Sequence, residues 1–196
     1  MLSLATVILA AGASVRMGRP KLLLPWSDKT ILAHLIQQWT ALGSSQMAVV
    51  VEPKSPLLVH LANVGQIVNP HPELGMFSSV QCAARWDGWK EDITHFVITL
   101  GDQPHVGTGT LQAILNFAEK NSDWICQPAR NGRGRHPVIL PKHAFAELAN
   151  AKASNLKEFL GERESRRKIF ESGDPALDLD IDTPADYETA LTYLRA

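Results

Sequence analysis

The sequence predicts a three-layer α/β fold in which helices cover both faces of a mainly parallel sheet. Short apolar segments typical of buried strands alternate with segments of helical periodicity along the whole chain. The composition, 45% apolar and 20% charged in 196 residues, is that of an ordinary globular domain. No internal repeat, low-complexity tract or long linker interrupts the pattern, so residues 1–196 are expected to form one domain.

The strand segments are short, apolar and rich in β-branched residues. LATVILAA predicts the first strand, and its passage into a glycine loop with no preceding Lys or Arg favours a buried strand over an export signal. HFVITL is the clearest central strand and is followed at once by the turn sequence GDQP. The predicted strands are 5–9, 47–51, 66–69, 95–100, 123–128, a segment near 138–141, and 176–182.

The helical segments carry apolar residues at intervals of three and four. Thr30 is expected to begin one helix, Thr108 or Thr110 another, and Thr183 the last, where Asp186 completes a capping-box pattern. The predicted helices are 30–42, 56–63, one after the Gly75 turn, 111–120, 143–151, 155–160 and a terminal helix from 184. The charged run 161–168 is expected to be a solvated helix face, and 129–137 a mobile basic loop.

Charge and cysteine content exclude several classes of protein. A formal net charge of -1 gives no overall attraction to nucleic acid or to an anionic membrane surface. Cys82 and Cys126 form no CxxC motif, so we expect two buried thiols and no disulfide, zinc or redox site. No apolar run reaches the ~20 residues of a membrane-spanning helix, and a cytoplasmic location is expected.

The loop after the first predicted strand concentrates small residues and cations. Parallel α/β sheets bind ligands beyond the carboxyl ends of their strands, where Gly12 and Ser14 allow close backbone approach and Arg16 and Lys21 add positive charge. These features predict a polyphosphate site. The spacing is neither that of a P-loop nor a GxGxxG fingerprint, and an ordinary glycine turn with solvated cations is the alternative.

Carboxylates follow two predicted strands at the same edge of the sheet. Asp102 follows the central strand and could hold Mg²⁺, which prefers one or two carboxylates plus phosphate oxygens; an Asx turn is the alternative. Asp180 and Asp182 alternate with apolar residues and would share one face. Asp182 is the preferred second ligand, with a charge near a helix N-terminus as its alternative. His136 could contact substrate or be a surface histidine.

Five blocks of the chain resemble, in order, the motifs of one enzyme family. LAAGASVRMGRPKLLLPW is similar to the LAAGxSxRMGxxK signature of the MobA/MocA-like nucleotidyltransferases, especially the molybdenum-cofactor cytidylyltransferase branch. The other blocks are NPHPELGMFSSV, TLGDQP, GRGRHPV and DIDTPADY. The resemblance implies the Rossmann-like nucleotide-diphospho-sugar transferase fold. One departure is LGERESR, where the branch tends to have LxGDxGAR.

The resemblance also implies roles for individual residues. Those expected to hold the nucleotide are Ala10, Ala11, Gly12, Ser14, Arg16, Lys21, Gly75, Met76, Ser79 and Asp102. Those expected to bind Mg²⁺ are Asp102 and Asp182, and those expected on the acceptor side are Arg135, His136 and Arg166. Arg16, Lys21 and Asp102 are expected to act in catalysis. LAAG, where the guanylyl-transferring relatives have LAGG, favours CTP over GTP.

The expected reaction is Mg²⁺-dependent transfer of CMP from CTP to the terminal phosphate of a molybdopterin-type cofactor, with release of pyrophosphate. A molybdoenzyme or a maturation protein is the expected recipient of the product. Three alternatives stay open: the same chemistry on another acceptor, such as a sugar 1-phosphate, or with GTP; a non-catalytic nucleotide or cofactor carrier; and a nicotinamide-dependent oxidoreductase, which the missing glycine fingerprint disfavours.

Overall fold

The computed structural model describes residues 2–12 and 14–194 and confirms the predicted α/β architecture. The strands of the described residues are β1 (Leu4–Leu9), β2 (Pro25–Trp26), β3 (Lys29–Thr30), β4 (Ser44–Val51), β5 (Gly65–Val68), β6 (His95–Leu100), β7 (Ile125–Arg130), β8 (Arg133–Gly134), β9 (Val138–Pro141) and β10 (Arg167–Glu171). An eight-stranded sheet has the order β10-β7-β9-β6-β1-β4-β5, with β8 paired to β7, and β2 and β3 form a separate ribbon.

The sheet is mainly parallel. Strands β5, β4, β1 and β6 run in one direction, and β9 is antiparallel to both β6 and β7. The last residue of β1, Leu9, lies opposite Val50 of β4 and Leu100 of β6. The loops that follow β1 and β6 therefore leave the sheet side by side at its carboxyl edge, where such folds place their ligands.

Helices cover both faces of the sheet. They are α1 (Ile31–Ala41), α2 (Met76–Arg85), α3 (Thr108–Glu119), α4 (Lys142–Glu147), α5 (Leu156–Gly161) and α6 (Pro184–Thr192). Alternate residues of β1 point to opposite layers, because side chains alternate along a strand. Val7 packs in the same core cluster as Val80 of α2, whereas Ile8 packs in the cluster of Leu35 of α1. These two buried interfaces make the three layers that the sequence predicts.

Two of the predicted helix caps are confirmed and one is wrong. Thr30 caps α1 by accepting a hydrogen bond from the amide of Ala33, and Thr183 and Asp186 form the complete capping box of α6. Helix α3 begins at Thr108, but its N-cap residue is Gly107 and no side chain caps it. Thr110 lies inside the first turn, where its hydroxyl donates to Asp174 Oδ2 (2.5 Å).

Three other local predictions differ from the structure. The segment 176–182 is not a strand: Pro175–Asp178 is a 3₁₀ helix, and in the extended residues after it the amide of Ile181 donates to the carbonyl of Asp102 (3.1 Å), just beyond the end of β6. The run 161–168 is not a helix face, because α5 ends at Gly161 and β10 begins at Arg167. Only Leu58–His60, a 3₁₀ turn, is helical within 56–63.

The basic segment 129–137 is a hairpin and not a loose loop. Asn131 and Gly132 have φ values of 53° and 70° and join β7 to β8. Positive φ at two successive turn residues suits a tight hairpin, and Asn-Gly is the preferred sequence there. The ladder between β7 and β8 therefore fixes the position of the arginines that this segment carries.

Two further features can be compared with the sequence-based expectations: the burial of the two cysteines and the length and hydropathy of the helices. Cys126 is buried as expected, Cys82 is only partly buried, and both thiols are free. In the described ranges, no helix combines the length and the hydropathy needed to cross a membrane.

Candidate active site

A cleft of about 430 Å³ opens at the carboxyl edge of the sheet. Its walls come from the loop after β1, the first turns of α2, the end of β6 and the segment before α6. The predicted site residues that line it are Ala10, Ala11, Gly12, Lys21, Gly75, Met76, Ser79, Asp102 and Asp182. Residues widely separated in the sequence thus share one cavity with carboxylates, a cation and small residues at its surface.

An ion-pair network crosses this cleft. Lys21 Nζ lies 2.7 Å from Asp102 Oδ2 and 3.2 Å from Asp182 Oδ1, and Arg16 Nη2 lies 2.7 Å from Asp182 Oδ2. Burial by itself would lower the pKa of Lys21, but the two carboxylates outweigh it and raise the pKa above its ordinary value. Lys21 is therefore a charged ammonium held between two carboxylates.

Tight packing of the loop on the sheet places Lys21. Lys21–Leu23 form a 3₁₀ turn, and the amide of Lys21 donates to Ser14 Oγ (3.3 Å). The next side chain, Leu22, lies against Gly101: a Cβ built at Gly101 would be 2.7 Å from Leu22 Cδ2 and 2.9 Å from the carbonyl oxygen of Leu9. Glycine at position 101 lets the loop approach the end of β6 and brings Lys21 to Asp102.

Two other residues of the loop that the sequence predicts to hold the nucleotide, Ser14 and Arg16, lie at the margin of the cleft. Ser14 lines an adjoining cavity of about 320 Å³ that shares Ala10, Gly12 and Lys21 with the cleft. The side chain of Arg16 is 68% exposed and reaches the site through its ion pair with Asp182. Both residues lie beside the predicted polyphosphate position, and neither lines the main cleft.

The segment before α6 brings carboxylates to the opposite wall. Asp186, in the capping box, accepts a hydrogen bond from the amide of Asp182 (3.2 Å) and so fixes the backbone of that residue. Asp180 also lines the cleft, and Gln103 Nε2 donates to its Oδ1 at 2.9 Å. Burial, followed by repulsion from Asp102 and Asp182, raises the pKa of Asp180 above its ordinary value.

The donor set fits a magnesium ion that arrives with phosphate groups. Asp102 Oδ1 is buried without a hydrogen-bond partner, although its other carboxylate oxygen contacts Lys21. In the described part of the chain, no group of three or more His, Cys, Asp or Glu residues could hold a metal alone. Mg²⁺ needs only one or two carboxylates when phosphate oxygens complete its coordination. Asp102 and Asp182 meet that requirement.

The three residues predicted on the acceptor side do not line the cleft. Arg135 Nη2 lies 2.5 Å from Asp178 Oδ1, and Arg130 pairs with the same carboxylate. His136 is half-buried, with Nδ1 3.3 Å from the carbonyl of Ile98, and burial lowers the pKa of this histidine. It is therefore not the exposed surface histidine considered as an alternative.

Arg166 is similarly engaged elsewhere. Its guanidinium lies 3.1 Å from each carboxylate oxygen of Glu147, which also pairs with Arg163. Arg166 therefore belongs to a charge cluster with Glu147 and Arg163 and does not line the cleft.

Sequence reasoning missed a buried residue that supports the cleft. Asn69 directly follows β5, is 1% exposed and donates to the hydroxyls of Ser78 and Ser79. A polar residue at the carboxyl end of a predicted strand was the available signal. Leu9, Leu22 and Leu100 also line the cleft, as apolar residues that pattern alone assigns to the core.

Comparison with known proteins shows which family the chain resembles. The model of the MobA-like NTP transferase domain matches residues 6–169. The molybdenum cofactor cytidylyltransferase of Escherichia coli (strain K12) is 29% identical over 188 residues, which cover 94% of this chain and 93% of that protein. The match therefore extends along almost the whole of both proteins.

Solved structures agree on the fold. Rv0371c from Mycobacterium tuberculosis H37Rv is 27% identical with a TM-score of 0.75, covering 97% of this chain and 98% of that one. The structure of Rv0371C in complex with manganese is 25% identical with a TM-score of 0.70, with the same coverage of 97% and 98%. Mth528, a nucleotidyl transferase from Methanothermobacter thermautotroptrophicus, has a TM-score of 0.79 at 22% identity over 98% of both chains and shares the fold.

Proposed function

Since this chain belongs to the MobA-like NTP transferase family and is a nucleotidyltransferase, we propose that it transfers CMP from CTP to the terminal phosphate of a molybdopterin-type cofactor. The reaction releases pyrophosphate and depends on Mg²⁺. The observation that carries this proposal is the convergence of Lys21, Asp102 and Asp182 in one cleft beside the loop after β1. These residues supply a fixed cation and two metal-binding carboxylates where the chain backbone can approach a polyphosphate.

Different residues of the cleft would bind the phosphates and the nucleoside of the nucleotide. The backbone of residues 10–12 and the charges of Arg16 and Lys21 would hold the phosphates. Gly75, Met76 and Ser79 would lie against the nucleoside, on the wall formed by the start of α2. The cations that now pair with the aspartates would contact phosphate oxygens in the complex, and their charge would stabilise the phosphate oxygens as negative charge builds up.

Magnesium would be held by Asp102 and Asp182, where it would neutralise phosphate charge and polarise the α-phosphate. The unpartnered Oδ1 of Asp102 supports this assignment, and so does the existence of Rv0371C as a manganese complex. The chain's own contribution is to hold the two substrates in line, because an acceptor phosphate is already a nucleophile and needs no covalent enzyme intermediate.

The choice of CTP rests on two observations. The loop has the sequence LAAG, and the Escherichia coli relative with matching length is named a cytidylyltransferase. A pterin-type acceptor is proposed on the same relative. Arg135, His136 and Arg166 remain proposed acceptor contacts, and each would have to leave its present partner, or act from beyond the cleft, to meet the substrate.

Pyrophosphate release tests this proposal directly. CTP and GTP are each offered with a molybdopterin-type acceptor and with sugar 1-phosphates, with and without Mg²⁺. We expect Mg²⁺-dependent release with CTP and the pterin acceptor. Release only with a sugar 1-phosphate or only with GTP would replace the proposed substrates, and nucleotide binding without release would indicate a carrier.

A matched pair of variants tests the role of Asp102. Asp102→Ala is expected to lower pyrophosphate release by about 10²–10³-fold, the range for removing one electrostatic stabiliser of a transition state. Asp87→Ala, which removes an exposed carboxylate on the surface, is the control. Circular dichroism establishes that both variants are folded. Wild-type turnover by Asp102→Ala would rule out the assigned role.

A further inference from the structure

One buried amide links the sheet to the wall of the cleft. Asn69 follows β5 directly and is 1% exposed, and its backbone amide donates to the carbonyl of Val51 at 2.8 Å. This bond continues the pairing of β5 with β4 and fixes the position of Asn69 against the sheet. Its side chain points toward the first turn of α2, the wall proposed to meet the nucleoside.

The orientation of the Asn69 amide is set by its neighbours. The backbone N–H of His71 can only donate, and it lies 2.9 Å from Asn69 Oδ1. The oxygen therefore faces His71, and the Cys82 thiol also donates to it (3.7 Å). The amino group must face the other way, where Nδ2 lies 2.8 Å from Ser78 Oγ and 2.9 Å from Ser79 Oγ. Every hydrogen-bonding position of this amide is used.

The two serines respond differently to the same donor. Ser78 Oγ donates its own hydrogen to a carbonyl of the 71–75 turn, either that of Gly75 (2.7 Å) or that of His71 (3.1 Å), and so ties this turn to α2. Ser79 Oγ has no other hydrogen-bond partner in the described residues, and Ser79 lines the cleft. Because an amino group cannot accept, the hydroxyl hydrogen of Ser79 cannot point at Asn69. It is left to donate to an acceptor from outside this cluster.

We propose that Asn69 is a positioning residue for nucleotide binding: it fixes the 71–75 turn and holds Ser79 as a hydrogen-bond donor toward an acceptor atom of the bound nucleotide. The inference rests on the proposed function, because the nucleotide supplies the missing acceptor. It assigns Asn69 no contact with the reacting atoms. The acceptor atom belongs to the nucleoside part, since Ser79 and Met76 lie on α2, the wall proposed above to meet the nucleoside.

Asn69→Asp separates this role from simple structural support. A carboxylate of the same shape still accepts from His71, but it offers only acceptors to the serines, so the hydrogen of Ser79 turns toward it. We expect the Kd for CTP with Mg²⁺ to rise about tenfold, the effect of losing one well-formed hydrogen bond from a buried site, with kcat changed less than KM. Ser79→Ala is expected to raise the Kd by a similar factor.

A double-mutant cycle makes the test specific. If Asn69 acts through Ser79, the variant that combines Asn69→Asp with Ser79→Ala binds no more weakly than Ser79→Ala alone. Charge repulsion or a general loss of structure would persist without the serine hydroxyl and make the effects additive. Cys82→Ala is the matched control, since it removes a contact of Asn69 outside the cleft and is expected to leave the Kd unchanged.

The outcomes distinguish this inference from the function on which it depends. Titration calorimetry gives the Kd for CTP and, in parallel, GTP. If Asn69→Asp does not fold, Asn69→Ser, whose side chain is too short to reach both serines, enters the same cycle with the same expected result. Additive effects, or a Kd within twofold of wild type, would overturn the role of Asn69 alone. A wild-type chain that binds neither nucleotide would overturn the proposed function as well.

Discussion

Lys21 Nζ lies 2.7 Å from Asp102 Oδ2, although 81 residues separate the two in the sequence. The same ammonium is 3.2 Å from Asp182 Oδ1, so it stands where the two proposed metal ligands meet. A positive charge therefore balances these carboxylates. A divalent cation that binds both aspartates has to compete with Lys21 for them.

This competition predicts how metal binding responds to Lys21→Met. Methionine keeps the apolar stem and removes the charge, leaving two half-buried carboxylates without the ammonium between them. We expect Mg²⁺ without nucleotide to raise the melting temperature of the variant more than that of the wild type. A difference of about 1 kcal/mol corresponds to roughly 2–4 °C for a protein of this size.

Thermal unfolding over a MgCl₂ series measures the effect. Adding Asp102→Asn to Lys21→Met is expected to abolish the additional stabilisation, because the first carboxylate is then neutral. Equal metal-induced shifts in the wild type and the single variant would mean that Asp102 and Asp182 do not bind the ion.

The close approach at Gly101 gives a second prediction. A Cβ at this position would lie 2.7 Å from Leu22 Cδ2 and 2.9 Å from the carbonyl of Leu9, so Gly101→Ala has to displace the loop that carries Lys21. We expect a loss of about 1–3 kcal/mol in the free energy of unfolding, as for other overpacked cores, together with weaker nucleotide binding. Urea denaturation and CTP titration measure the two effects.

Gly109 in α3 provides the matched control. A Cβ there meets nothing within 4 Å. Gly109→Ala replaces glycine in the first turn of a helix, so we expect it to stabilise the protein by about 0.4–1 kcal/mol and to leave nucleotide binding unchanged. Gly101→Ala with the stability and affinity of the wild type would show that the loop moves freely relative to β6.

The sequence predicts a helix end correctly where contacts between neighbouring residues determine that end. The pattern Thr183-Pro-Ala-Asp186 specifies a helix start through contacts within four residues, and the structure has that capping box. The alternation at 176–182 also indicated extended chain, but whether extended chain becomes a strand depends on a partner elsewhere. Here the amide of Ile181 docks on Asp102 and no ladder continues from it.

Pairing between residues far apart in the sequence explains why the other contacts at the site differ from the sequence-based predictions. Sequence position at the sheet edge predicted that Lys21 and Asp102 would lie close together, but not that they would form a direct ion pair. The sequence predicts that Arg135 contacts a substrate, but in the structure it forms an ion pair with Asp178. These two residues are 43 positions apart, and no local sequence pattern links them. Charge partners of this kind are decided by tertiary contacts.

Four buried or half-buried histidines predict a loss of stability on mild acidification. Burial lowers the pKa of His34, His95, His105 and His136 in the folded protein. The unfolded chain therefore binds more protons once the pH falls below about 6.5, the ordinary histidine value. We expect the free energy of unfolding to be fully present above that pH and to decrease as the pH falls toward the folded-state pKa values.

Urea denaturation between pH 7.5 and 5.5 measures this slope. His105→Asn removes one of the contributing groups and is expected to reduce the slope, and His60→Gln, at an exposed position, is the matched control. A free energy of unfolding that does not change across this interval would contradict the linkage.

The capping box of α6 connects the stability of that helix to the position of Asp182. Asp186 Oδ2 receives hydrogen bonds from the Thr183 amide (2.7 Å), the Thr183 hydroxyl (2.7 Å) and the Asp182 amide (3.2 Å). Thr183→Ala removes the hydroxyl that also caps the helix at the amide of Asp186. We expect the free energy of unfolding to fall by about 1 kcal/mol.

The same variant is expected to weaken metal binding, because it loosens the turn that holds the Asp182 carboxylate opposite Lys21. Thr183→Ser keeps the hydroxyl and is expected to retain both properties, which makes it the matched control. Urea denaturation gives the stability of each variant, and the Mg²⁺ concentration at half-maximal pyrophosphate release gives the metal dependence. If Thr183→Ala lost stability but kept the wild-type Mg²⁺ dependence, the cap would serve the helix alone and Asp182 would be positioned by its ion pairs with Arg16 and Lys21.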